Sequence, residues 1–141
     1  MSALNPALIP LSLYIHMPWC VRKCPYCDFN SHAVPDGQLS TDLEQQYLAA
    51  LVADFETQLE MAQGRSIHSV FIGGGTPSLI SAQGYTWLFE QLRARLDFEP
   101  DCEITLEANP GTVEHDPFAD YLAAGINRLS IGVQSFNTEH L

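Results

Sequence analysis

Cys20, Cys24 and Cys27 stand in the spacing C-x3-C-x2-C, three of the chain's four cysteines within eight residues. Thiolates this close on one loop can face a common centre, and an odd set of three cannot be closed entirely as disulfides. They can hold three corners of a [4Fe–4S] cube, leaving one iron without a protein ligand and free to take an amine and a carboxylate. The same thiols could instead build a Cys3His zinc site with His16 or His32 as the fourth ligand. Arg22 and Lys23 lie inside this loop although the chain holds only six basic residues, and they either offset the thiolate charge or are simply solvated. Cys102 stands apart and reads as a small buried hydrophobe.

A second unusual run is Gly73-Gly74-Gly75-Thr76-Pro77. It lacks the G-x-G-x-x-G spacing of dinucleotide sites and the Gly-Lys-Ser/Thr end of a P-loop, so it does not read as a phosphate cradle. Without Cβ atoms, however, its backbone can approach a ligand closely, and its carbonyls can accept from an ammonium group. The plainer alternative is a tight strand-to-helix turn. Glu107 is either a carboxylate placed to accept from paired hydroxyls or a solvated rim group, and Gln134 offers both a donor and an acceptor. Tyr14 serves such a site or the core. The five histidines carry no ligand assignment, and no residue is assigned as catalytic.

These motifs need elements to hold them, and the sequence alternates short apolar runs with helical stretches, each run closed by Gly, Pro or Asn. Leu11 to His16 reads as a first strand leading into the cysteine loop, which runs past Pro25, Pro35 and Gly37 to Ser40. Thr41 opens a helix through the capping-box pattern T-D-L-E, with Leu43, Tyr47, Leu51, Phe55 and Leu59 on one face, widened by Leu48 and Val52, ending near Gly64. Ser69 to Ile72 is a second strand entering the glycine run. Ser81 starts a helix that carries Trp87, Leu88, Leu92 and Leu96 inward. Glu103 to Ala108 is a third strand broken at Asn109-Pro110-Gly111, Phe118 to Ala124 a short helix stopped by Gly125, and Arg128 to Val133 a fourth strand. The order β-α-β-α-β-α-β predicts a parallel α/β sheet with every distinctive loop on one edge, the active edge of a barrel-like fold. Four strands cannot close a barrel, so the reading is a tail over 1–10 and, over 11–141, the first part of a core domain cut after its fourth strand.

Composition narrows the partners. The 141 residues carry six Lys+Arg against 17 Asp+Glu, a formal charge of −11, which repels phosphate backbones and anionic headgroups. No apolar run approaches the roughly 20 residues that span a bilayer, and the start lacks the basic segment of a signal peptide, so the expected compartment is the cytoplasm.

The stretch Y-I-H-M-P-W-C-V-R-K-C-P-Y-C-D-F-N-S-H resembles the opening of the radical S-adenosylmethionine (radical SAM) superfamily, whose hallmark is C-x3-C-x2-C with an aromatic before the last cysteine, here Tyr26. The resemblance runs from Leu13 to Phe136 and implies an incomplete radical-SAM (β/α) partial barrel. It implies a [4Fe–4S] cluster on Cys20, Cys24 and Cys27, and S-adenosylmethionine (SAM) held by Tyr14, Tyr26, Gly74, Gly75, Thr76, Glu107 and Gln134. Within the porphyrin-related branch, the oxygen-independent coproporphyrinogen III oxidases carry a further cysteine two positions after the third one, where this chain has Phe29. The run is more similar to the haem-chaperone family of that branch, which implies haem as ligand and respiratory haem-acceptor proteins as partners. Oxidative decarboxylation of coproporphyrinogen is the alternative activity, and a zinc-stabilised binding module a remoter one.

Overall fold

The structure is a computed structural model that describes residues 4–109 and 114–140. Its centre is a sheet of four parallel strands, β1 (Leu11–Met17), β4 (Ile67–Gly74), β5 (Phe98–Ala108) and β6 (Arg128–Ile131), arranged in chain order β1-β4-β5-β6. The crossovers pass through α1 (Thr41–Thr57), α2 (Ala82–Arg93) and α3 (Phe118–Ala123). The expected α/β order is therefore present, and all strands end on the same edge. Pro110 and Gly111, part of the expected break after the third strand, lie outside the described residues.

Alternation along the strands sorts the two sheet faces. Ile15, Met17, Val70, Ile72, Ile104 and Leu106 point to one side, where Leu48 and Val52 of α1 and Tyr85, Leu88, Phe89 and Leu92 of α2 bury them. Full burial of each such side chain is worth about 1.5–3 kcal/mol, so this face holds the fold together. On the other face, strand pairing lays out rows: Tyr14, Phe71, Thr105 and Arg128 form one, and His16, Gly73, Glu107 and Ser130 stand in the next, nearer the strand ends. No helix covers that face among the described residues. Its half-open polar and aromatic rows are the inner wall of a partial barrel.

Several local expectations shift. Ser40, not Thr41, is the N-cap of α1, its hydroxyl accepting from Leu43 N at 3.2 Å. The capping box does not form, because Glu44 is buried and its carboxylate accepts instead from Ser81 N (2.9 Å) and Ser81 Oγ (2.6 Å) at the start of α2. Gly84 makes this approach possible, since a Cβ there would sit 2.5 Å from Glu44 Oε1. The most buried line of α1 is Leu48 and Val52, while Leu43, Tyr47, Leu51 and Phe55 are only half-buried beside it. Trp87 is 39% exposed, because the inward face of α2 is completed by Tyr85 and Phe89. α1 stops at Thr57, and the remainder tightens into a 3-10 turn over Leu59–Ala62 before Gly64. The third strand starts five residues early at Phe98, and the fourth ends at Ile131 rather than Val133.

Inside the cysteine loop lies a ladder that alternation does not reveal. β2 (Trp19–Cys20) pairs in parallel with β3 (His32–Ala33). Two residues are too few for any periodic signal. The bonds His32 N to Pro18 O (2.6 Å) and Val34 N to Cys20 O (2.9 Å) close the base of the loop.

Candidate functional site

The strands end where the cysteine and glycine loops meet, and they meet backbone to backbone. Gly75 N donates to Met17 O at 2.6 Å and Thr76 N to Trp19 O at 2.6 Å, so the glycine run docks on the strand that carries Cys20. A Cβ on Gly75 would lie 2.4 Å from Trp19 O and 2.9 Å from Cys20 Sγ. Gly74 has φ +111°, and a Cβ there would press on the His16 ring and on Met17 O. The third glycine, Gly73, leaves room for Glu107, whose Oε2 would stand 3.0 Å from a Cβ. Glu107 Oε2 also accepts from Gly74 N at 3.3 Å. Cys20, Gly74, Gly75, Thr76 and Glu107 thus form one group, with Cys20 and Thr76 buried.

Tyr14 belongs to the same wall and not to the core: it is 56% exposed and stacks on Phe71 with ring centroids 6.4 Å apart. Burial first, and the Glu107 charge second, raise its phenol above the ordinary value. Its hydroxyl is 2.9 Å from His16 Nδ1, and His16 Nε2 is 2.8 Å from Asn30 O. With both ring nitrogens engaged in this way, His16 is not placed as a zinc ligand. His32 is exposed on β3, tilted against Trp19.

The other site residues are less gathered. Cys24 is exposed and Cys27 half-buried, joined by the turn bond Cys27 N to Cys24 O at 3.0 Å. Among the described residues no three His, Cys, Asp or Glu side chains lie close enough to hold a metal, so the convergence expected of the three thiols is not present in this structure. Tyr26 is 76% exposed, and its phenol is raised mainly by a hydrogen bond to Cys24 and by that thiol's charge. Gln134 has φ +66° and turns its amide back to donate to Gly132 O at 3.3 Å. Arg22 and Lys23 are exposed. Cys102 is buried as expected, and burial raises its thiol.

Sequence reasoning missed what holds the turn after the glycines. The Tyr85 hydroxyl donates to Pro77 O (2.6 Å), and the Tyr121 hydroxyl donates to Ser78 O (2.8 Å) and Ile80 O (2.7 Å). Neither ring stands among the residues that apolar periodicity picked out, and the hydroxyl's target is a tertiary fact. Pro77 O and Ser78 O also accept from Ile80 N (3.2 Å) and His115 N (2.9 Å), so the larger loss is expected at Tyr121, whose hydroxyl serves the Ile80 carbonyl, at about 1–3 kcal/mol. Burial holds both phenols well above the usual range, and all five tyrosines of the chain are shifted upward. An unfolded phenol ionises near pH 10. The folded state keeps the neutral form longer, so this stability is fully present below about pH 10 and is lost as pH rises through the higher folded values. In an absorbance titration at 295 nm, phenolate should therefore appear late and together with loss of circular dichroism. Smooth ionisation of all five near pH 10 with the fold intact would contradict this.

Comparison with known proteins agrees with this geometry. Residues 14–141 match the Radical SAM superfamily. The chain is 54% identical over 140 residues to the heme chaperone HemW of Haemophilus influenzae, covering 96% of this chain and 36% of that one. It is 57% identical over 134 residues to the heme chaperone HemW of Escherichia coli, covering 95% and 34%. The structure of coproporphyrinogen III oxidase (HemN) from Escherichia coli, described as a radical SAM enzyme, superposes with a TM-score of 0.79 at 35% identity, over 96% of this chain and 30% of that one. The chain thus spans about a third of the length of the curated relatives it matches. Its parallel strands, with the cysteine and glycine loops joined at their carboxyl edge, are those of the radical SAM superfamily, to which this chain belongs.

Proposed function

We propose that this chain forms the first part of the core domain of a haem chaperone of the HemW type, a cytoplasmic protein that binds haem and passes it to respiratory acceptor proteins. Cys20, Cys24 and Cys27 would hold a [4Fe–4S] cluster; Tyr14, Tyr26, Gly74, Gly75, Thr76, Glu107 and Gln134 would hold SAM. The observation that carries the cofactor reading is the docking of Gly75 and Thr76 on the strand of Cys20, with no room for a Cβ at the contact. Three thiols on one loop beside a cradle of bare backbone suit a cluster that also binds a small amino acid-like ligand. When bound, such a cluster supplies an open iron position and an electron to a sulfonium group.

The chain's own groups have separate tasks there. The glycine run brings backbone close enough to accept from an ammonium, while Glu107, fixed by Gly74 N, presents a carboxylate to hydroxyl donors. Phe71 and Tyr14 give the wall an aromatic surface below them. No helix among the described residues is long and apolar enough to cross a membrane.

The oxidase alternative rests on the solved neighbour, and the higher identity to HemW proteins together with Phe29 in place of a fourth loop cysteine favours the chaperone. Haem titration of the reconstituted full-length protein decides the matter. A saturable Soret band near one haem per chain, with coproporphyrinogen left unchanged under anaerobic reducing conditions, is the expected result. Absence of haem binding sinks the proposal, and protoporphyrinogen formed together with 5′-deoxyadenosine replaces it with the oxidase.

A further inference from the structure

His16 sits where four parts of the site converge. It lies at the carboxyl end of β1, in the row of Gly73, Glu107 and Ser130. Its Nε2 is 2.8 Å from the carbonyl of Asn30, fourteen positions along the chain and three beyond Cys27. A carbonyl only accepts, so Nε2 carries the proton; in the neutral ring Nδ1 then accepts from the Tyr14 hydroxyl at 2.9 Å. The ring edge lies against the glycine run, 2.7–2.8 Å from where a Gly74 Cβ would stand. The main-chain carbonyl of His16 accepts a short hydrogen bond from Tyr47 on α1.

We infer that His16 is a positioning residue, an imidazole that fixes the far end of the cysteine loop against the glycine run by donating from Nε2 to the Asn30 carbonyl. The inference rests on the cofactor reading of that loop but not on haem. From Val21 to Asn30 every side chain except Cys27 is exposed, so packing does little to fix this segment. The ladder between β2 and β3 closes its base, and the turn bond between Cys24 and Cys27 shapes its tip. The His16 bond ties the segment directly to the sheet at the row that carries Glu107. A side chain without a donor at the Nε2 position would leave the Asn30 carbonyl free, and the thiols would then be carried on a loop with a looser end.

The two ring nitrogens can be separated chemically. Glutamine can place an N–H near the Nε2 position, whereas asparagine reaches only as far as Nδ1. Arg22 and Lys23 are exposed within the segment, so tryptic cleavage there reports its opening without any bound group, with cleavage at Arg65 as the reference for global unfolding. In the full-length protein before reconstitution, His16→Ala should speed cleavage after Arg22 and Lys23 on the order of fivefold, with Arg65 unchanged. His16→Gln should return it to within about twofold of wild type, and His16→Asn should not. After reconstitution the same order should hold for the rate of iron loss to a chelator. Equal cleavage in wild type and His16→Ala overturns the inference, as does His16→Gln behaving no better than His16→Asn. If the alanine variant fails to fold, the glutamine and asparagine pair still decides. Failure of the wild type to bind haem with the cleavage order intact removes the chaperone reading and leaves this one standing.

Discussion

Replacing Cys20, Cys24 or Cys27 singly with serine should remove essentially all iron from the anaerobically reconstituted protein, whereas Cys102→Ala should leave it near four irons and four sulfides per chain. A thiolate is the ligand such a cluster needs, and a serine hydroxyl at neutral pH is neither soft nor ionised. Cys20 is as buried as Cys102, but it lies against the glycine run, where a Cβ on Gly75 would stand 2.9 Å from its Sγ. Cys102 is 6% exposed within β5, and burial pushes its thiol further from ionisation, so it is structural and its loss costs about 1 kcal/mol of packing. Cys24 is exposed and Cys27 half-buried on a loop that also carries the exposed Arg22 and Lys23. Retention of iron by Cys24→Ser, or its loss in Cys102→Ala, would remove the cluster assignment. A zinc site would give a colourless protein without sulfide.

The expectations that succeeded share a physical basis. Strand order, helix order and the common edge of the loops follow from apolar periodicity and Gly/Pro punctuation, signals that act along the chain and need no tertiary partner. Gly125 ending α3 at φ +113° and Ser81 capping α2 through Gly84 N are of that kind. The misplacements arise where a side chain had a choice of partners. Glu44 stands where a capping box would use it, yet the nearby start of α2 offers its carboxylate two donors in a buried site. Trp87 fits the helical period, but Tyr85 and Phe89 fill the inward face and leave it outside.

The site shows the same division. Residue type and position left Gly74, Gly75, Thr76 and Glu107 open between a site and a plain turn or rim; the family resemblance grouped them with Cys20, and the fold brings the five together. Their supports could not be named. His16 and Tyr14 share a strand face two residues apart, a visible hint, but the Asn30 carbonyl that completes the chain of hydrogen bonds belongs to a loop whose path no periodicity describes. Nothing in residue type or spacing singles out Tyr85 and Tyr121, and only the three-dimensional path of residues 77–80 turns their hydroxyls into anchors for the turn after the glycine run.

That run supplies the other large effect. Gly75→Ala should lower stability by about 3 kcal/mol and cut iron incorporation in the same step. The added Cβ would stand 2.4 Å from Trp19 O and 2.9 Å from Cys20 Sγ. The first of these is backbone and cannot rotate away, so relief requires β2 to move off the glycine run. Moving it stretches the 2.6 Å bond from Thr76 N to Trp19 O, and it carries Cys20 with it. Gly64→Ala is the control: nothing lies within 4 Å of its Cβ position, and only its φ of +78° opposes the change. That strain costs about 1–2 kcal/mol at a site remote from the cysteine loop, so stability falls while iron binding stays at the wild-type level. A Gly75→Ala protein with wild-type melting and wild-type iron content would mean that the two loops do not touch, and the cofactor reading built on their contact would fail with it.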